Sequence, residues 1–148
     1  MMEYNNVVQR LAACGLDCSR CADYKNGEIK ELSVRLSELL KGYERVAKIK
    51  SGTMPAFEEF EKFKEVIKIF SDASCGGCRS DNVKCPIDCH VKTCHKNKKV
   101  DFCFQCSEYP CNKQIDERLT ARWIEKNNRM KEIGVMKFYS EQSKTPRY

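Results

Sequence analysis

The chain predicts a small, mainly α-helical protein made of a helical hairpin, an irregular cysteine-rich metal-binding lobe and a C-terminal helix. Three observations carry that expectation. Apolar residues recur at three- and four-residue steps between Glu28 and Phe70, and again after Cys111. Eleven cysteines in 148 residues fall into two groups: Cys14, Cys18 and Cys21 near the start, and eight between Cys75 and Cys111. The stretch from Ser71 to Cys111 has too few apolar side chains to order itself, so something other than a hydrophobic core must fix it.

From Glu28 to Lys50, Ile29, Leu32, Leu36, Leu39, Leu40, Tyr43, Val46 and Ala47 form an apolar stripe, with Lys30, Glu31, Arg35, Glu38 and Lys41 largely outside it. Gly42 is the place for a local break, since glycine costs a helix interior ~1 kcal/mol relative to alanine. Ser51-Gly52 ends this helix, with Gly52 free to take a positive φ. Thr53 then serves as a hydroxyl cap and Pro55 as a first-turn residue for a second helix from about Met54 to Phe70. Its row of Phe57, Phe60, Phe63, Ile67 and Phe70 faces the first helix in an antiparallel hairpin with a shared Phe and Leu core. Beyond Cys111, Ile115, Leu119, Trp123 and Met130 mark a further helix that Gly134 stops. Val135 to Tyr148 reads as a short helix followed by a polar tail. The expected organisation is one cysteine-rich metal-binding domain over 1–142, with the hairpin inserted at about 28–70 and a tail at 143–148.

The chain is 41% hydrophobic and 32% charged, with a formal net charge of +6. No apolar run approaches the ~20 residues that cross a bilayer, so the expectation is a soluble protein with no membrane partner. The opening Met-Met-Glu-Tyr-Asn-Asn has no basic stretch, apolar run or cleavage site for export, which points to the cytoplasm. A secreted disulfide scaffold is the competing account of so many cysteines, but an odd number cannot pair completely.

Spacing favours metal. Two residues between cysteines let both thiolates turn toward one ion, as in Cys18/Cys21, Cys75/Cys78 and Cys103/Cys106. Cys85, Cys89, Cys94 and Cys111 complete the later group, and all eleven sulfurs are candidate ligands. The first group is one sulfur short of a four-coordinate site, which the later group can supply if the hairpin's ends meet. Gly76 and Gly77 suit a knuckle whose backbone N–H groups turn toward sulfur. Zinc is the expected metal, with an iron–sulfur cluster as the alternative: nearly all-thiolate ligation and the C-x3-C-x2-C spacing of Cys14, Cys18 and Cys21 suit iron, whereas His90 and His95 beside the knuckles suit zinc. Both histidines are also explained as exposed loop residues. Asp17, Asp23 and Asp88 lie near cysteines and are expected to be exposed turn residues rather than acceptors behind the metal ligands.

Cys14-Gly-Leu-Asp-Cys18-Ser-Arg-Cys21, Cys75-Gly-Gly-Cys78-Arg79, Cys89-His-Val-Lys-Thr-Cys94 and Cys103-Phe-Gln-Cys106-Ser-Glu-Tyr-Pro-Cys111 resemble the successive motifs of domain-of-unknown-function family 3795. The resemblance runs from about residue 10 to residue 140 and includes Gly134-Val-Met-Lys-Phe-Tyr-Ser-Glu-Gln142. Longer members continue into another cysteine pair that is absent before Tyr148. The resemblance implies a cytoplasmic zinc-binding protein and brings no reaction with it.

Enzymatic readings find little support. The C-x3-C-x2-C spacing is shared with radical S-adenosylmethionine enzymes, but Arg20 stands where those have an aromatic and the chain is too short for their barrel. Phosphate loops, His-Glu-x-x-His elements and serine elbows do not appear. The expected role is a structural or interaction module with an unidentified protein partner. Lys84, Lys92, Lys96, Lys98 and Lys99, near Phe102, Phe104 and Tyr109, also suit single-stranded nucleic acid, though Asp81, Asp88, Asp101 and Glu108 interrupt the run and a solvated metal loop explains it more simply.

Overall fold

The computed structural model describes residues 2–113 and 117–148. Within them the protein is all-helical, with α1 (Tyr4–Arg10), α2 (Glu28–Leu39), α3 (Glu44–Ser51), α4 (Phe60–Ser71), α5 (Val91–Lys98), α6 (Glu117–Ile133) and α7 (Val135–Gln142). Three short 3-10 turns punctuate these helices, and one antiparallel bridge joins Leu11 to Asp17. No described helix is long and apolar enough to cross a membrane. The chain divides into two compact units, one comprising Met1–Ser19 with Cys75–Tyr148 and the other Arg20–Ser74.

The inserted unit is the helical hairpin. Its first stripe breaks at Gly42, whose φ of +85° only glycine adopts without strain, so α2 and α3 are separate helices. The second segment begins as a 3-10 turn at Pro55–Glu59 before α4, with Pro55 in the first turn as its fixed φ allows. Two expected local devices are replaced. Gly52 stays right-handed at φ −63°, and Thr53 donates its hydroxyl back to the Lys50 carbonyl at 3.3 Å instead of capping the next turn.

The shared core is aromatic, without the expected leucine row. Tyr43 lies 5.5 Å from Phe60, and Phe60 lies 5.9 Å from Phe63 between ring centroids, distances at which aromatic pairs attract. On α2 the buried position is the small Ser33, which leaves Leu32 (61% exposed) and Leu39 (65%) on an open flank. At ~100° per residue Leu32 and Leu39 fall together on one face well to the side of Ser33, so the face of α2 that is buried is not the leucine face.

In the other unit the core gathers Val7, Val8 and Leu11 from α1 and its end, Phe102, Met130 of α6, and Val135 and Phe138 of α7. Gly134 at φ +82° turns the chain between α6 and α7, as expected of a helix stop. Ile115, placed on this helix in the sequence reading, lies outside the described residues. Two helices were not anticipated. Helix α1 is only seven residues long, too short to display a period, and α5 buries only Val91 and His95 among lysines. Helix α5 interrupts what the sequence presents as wholly irregular lobe.

Candidate metal centres

The loop bearing Cys14 is built by close approach to α6. Gly15 sits at φ +88°, and a Cβ there would meet Lys126 Cβ at 2.9 Å and Met130 Cε at 3.0 Å, so glycine is required by both conformation and space. Asn127, fully buried, fastens the loop: its Nδ2 donates to the Cys14 carbonyl (3.1 Å) and to the Trp123 carbonyl (3.0 Å), while its Oδ1 accepts the Phe104 N–H (3.0 Å). The Cys103 N–H donates to the Ala13 carbonyl at 3.0 Å, joining the first cysteine loop to the last. Arg79, next to Cys78, donates to the Leu11 carbonyl (2.8 Å) and the Asp101 carbonyl (2.5 Å), with its guanidinium over the Phe102 ring. From the C-terminal end, Gln142 donates to the Gly15 carbonyl (2.9 Å) and Arg147 to the Asp17 carbonyl (3.1 Å).

Asp17 is fully buried rather than an exposed turn residue. Its Oδ1 accepts both the N–H and the hydroxyl of Ser19, which closes the turn that presents Cys18. Asp88 is exposed as expected, and Asp23 lies 3.9 Å from the Cys21 thiol.

All eleven cysteines are free thiols. Cys75 forms the expected knuckle: its sulfur accepts the N–H groups of Gly77 (3.4 Å) and Lys84 (3.3 Å). Cys14, Cys78, Cys85 and Cys89 line one cavity of about 60 Å³ together with Leu16, Ile87, Trp123 and Lys126. Cys18 joins this set through a thiol–thiol hydrogen bond to Cys78, which pulls Cys18 below the usual thiol range and pushes Cys78 above it. Cys94, Cys103, Cys106 and Cys111 line a second cavity of about 20 Å³ with His90 and His95. There His90 Nε2 stands 3.8 Å from the Cys111 sulfur. His95 is buried and its Nε2 has no hydrogen-bond partner, while its Nδ1 faces Arg79 at 3.4 Å. Both histidines therefore sit among the cysteines rather than in an open loop. Cys21 belongs to the inserted unit.

Burial pushes the Cys14 thiol up to about 12 and Cys103 to about 11, the latter opposed by the Trp123 indole N–H. That N–H is buried without a hydrogen bond of ordinary geometry, and the Cys103 sulfur is the acceptor that its presence makes more acidic. Lys126 is held below the usual lysine range first by burial and then by repulsion from Arg122.

Among the described residues, no three His, Cys, Asp or Glu side chains are already arranged to hold a metal ion. The donor chemistry nevertheless fits one. Each cavity is lined by four free thiols, backbone N–H groups point at a neighbouring sulfur, and cations stand close enough to stabilise thiolates. Rotation about a Cα–Cβ bond moves each sulfur within its cavity without moving the backbone.

A family model described as protein of unknown function (DUF3795) matches residues 10–116. The chain belongs to the DUF3795 family. The match covers every cysteine in both sets and ends before α6 begins, so the resemblance of Gly134–Gln142 lies beyond the matched stretch. Comparison with curated proteins finds no match, and neither does comparison with solved structures. Within this DUF3795 chain, sequence reasoning missed Asn127, Arg79 and Gly15 as supports of the cysteine loops. The available signal for Asn127 was its place four residues after Trp123 and three before Met130, on the apolar stripe of α6.

Proposed function

We propose that this protein is a metal-binding module with two thiolate centres, one held by ligands from Cys14, Cys18, Cys78, Cys85 and Cys89, the other by Cys94, Cys103, Cys106 and Cys111. The supporting observation is that two separate cavities are each lined by four cysteine side chains, the first joining Cys14 to Cys78, Cys85 and Cys89 and the second gathering Cys94, Cys103, Cys106 and Cys111 of one segment. Zinc is the proposed metal. It would supply cross-links rather than a reaction, tying the 75–111 segment, which contributes few core side chains, to the helices around it. Such a rigid lobe suits an interaction module, with binding of a partner as its role.

A second reading has its own support at the first centre. The first cavity's candidate ligands are all thiols, with no histidine among its lining residues, and all-sulfur ligation suits an iron–sulfur cluster there. Purification without oxygen followed by metal and sulfide analysis separates the two readings. Two equivalents of zinc in a colourless protein support the first. A brown protein with acid-labile sulfide, bleached by dithionite, supports the second. A folded protein with neither refutes both.

A further inference from the structure

The inserted hairpin has an apolar side that its own helices do not cover. Among the described residues, ten of the fourteen exposed large hydrophobic side chains belong to Arg20–Ser74, little more than a third of the chain. Two contacts set the register of α2 and α4: Lys30 donates to the Ala73 carbonyl at 2.7 Å near one end, and Tyr43 lies 5.5 Å from Phe60 near the other. The helices therefore run antiparallel, with Leu32 about level with Phe70 and Leu36 with Val66. At ~100° per residue, Leu32, Leu36 and Leu39 fall to one side of the buried Ser33, and Val66 and Phe70 to the same rotational side of the buried Phe60. In two antiparallel right-handed helices that facing each other, equal rotations point to the same side of the pair. The five residues thus make one strip, bordered by Ile69 (64% exposed).

No charged residue of α2 or α4 falls within the strip. The opposite side of the pair is its contrary: Glu38 and Lys41 line a charged groove of about 570 Å³ there with Glu61, Lys64 and Lys68. With about half of each side chain open, the strip and Ile69 leave roughly 500 Å² of apolar surface, a large part of the ~800 Å² that each partner buries in a standard protein interface. A polar rim supplies the remainder. That rim is mixed in sign, with Glu28 and Arg35 beside the strip on α2 and Glu59 and Lys62 beside it on α4. The whole inserted unit carries eleven basic and ten acidic residues, a net charge of +1 against +6 for the chain, so two copies of it meet with little repulsion. A lipid surface, by contrast, selects a basic rim.

We propose that the occupant of this strip is a second copy of the chain, the two hairpins packing apolar side against apolar side as the two layers of a four-helix bundle. A two-helix layer has one mutual seam and two open sides, and pairing with its own copy buries the apolar one while the charged groove stays in water. The inference uses no residue of either proposed metal centre.

The test is sedimentation equilibrium of the full chain over a range of concentrations, under reductant and without oxygen so that disulfides do not mimic association. A twofold mass is expected. Leu32→Glu and Leu39→Lys should each raise the dissociation constant at least tenfold, and Lys41→Gln in the charged groove should leave it unchanged. Both leucines are exposed, so neither replacement removes core; circular dichroism and metal content accompany each variant. A chain that stays monomeric at about 0.5 mM overturns the proposal. So does a dimer that both leucine variants leave intact, or a monomer that collects instead on phosphatidylglycerol vesicles. Metal content reports on the proposed function separately, since a metal-loaded monomer sinks only this inference and a metal-free dimer broken by Leu32→Glu sinks only the metal reading.

Discussion

Asn127 and Cys14, 113 residues apart, are joined by a hydrogen bond in which the Asn127 side-chain amide donates to the Cys14 carbonyl at 3.1 Å. The same amide oxygen accepts the Phe104 N–H, so one buried side chain on α6 holds the loops that carry both candidate centres. A buried amide with all these partners stabilises chiefly because each partner would otherwise be desolvated and unpaired.

Replacing Asn127 with Leu keeps most of the volume but orphans the Cys14 carbonyl and the Phe104 N–H. At ~1 to 3 kcal/mol for each buried group left unpaired, a loss of about 3 kcal/mol is expected. Urea denaturation at fixed metal content measures it. A loss under ~0.5 kcal/mol would mean that water replaces the amide and the bond does not organise the loops.

Gly15→Ala should destabilise by ~2 to 4 kcal/mol, from the left-handed backbone and from the contact with Lys126 and Met130 acting together. Gly42→Ala is the internal comparison. It shares a positive φ, but nothing lies within 4 Å of the added methyl, so only the backbone term of ~1 to 2 kcal/mol applies. Thermal unfolding of the two variants separates conformational strain from crowding.

The two cysteine sets predict separable metal losses. Serine at Cys78 or Cys85 should remove the metal of the first centre and leave the second loaded, while serine at Cys106 or Cys111 should do the reverse. Elemental analysis of each variant reads out one lost equivalent. If every single replacement empties both centres, the cavities belong to one cooperative site.

The raised thiols set a pH dependence with opposite signs for metal-free and metal-bound protein. Burial lifts Cys14 from 9.0 to about 12 and Cys103 from 9.0 to about 11, so the folded metal-free chain keeps protons that the unfolded chain gives up. Its stability should therefore be fully present below pH 9.0 and fall as pH rises toward 11 and 12. Metal uptake must displace those same protons, so apparent affinity should rise with pH and fall in acid. Denaturation of apoprotein across this range, and proton release in weakly buffered zinc titrations, check the two halves.

The helical class and most helix positions were legible in the sequence because an apolar stripe repeats wherever a helix has a buried side of several turns. Helix α6 shows it over 17 residues, with Trp123 and Met130 buried where the period puts them. Helix α5 shows nothing comparable, since only Val91 and His95 of its eight residues turn inward. Leu32 and Leu39 mark the opposite failure, a strong apolar pattern on a flank that the inserted unit leaves exposed.

By itself the sequence determined the class of the protein, the break at Gly42, the stop at Gly134 and the eleven sulfurs with their local spacing, because each depends on neighbours a few residues away. Only the tertiary structure decided which sulfurs share a cavity, that Asp17 and Asn127 are buried, and that Arg122 and Lys126 border the first cysteine set. Those relationships are contacts across long stretches of chain, fixed by helix packing and by side-chain hydrogen bonds to distant carbonyls. Periodicity and spacing carry no record of them.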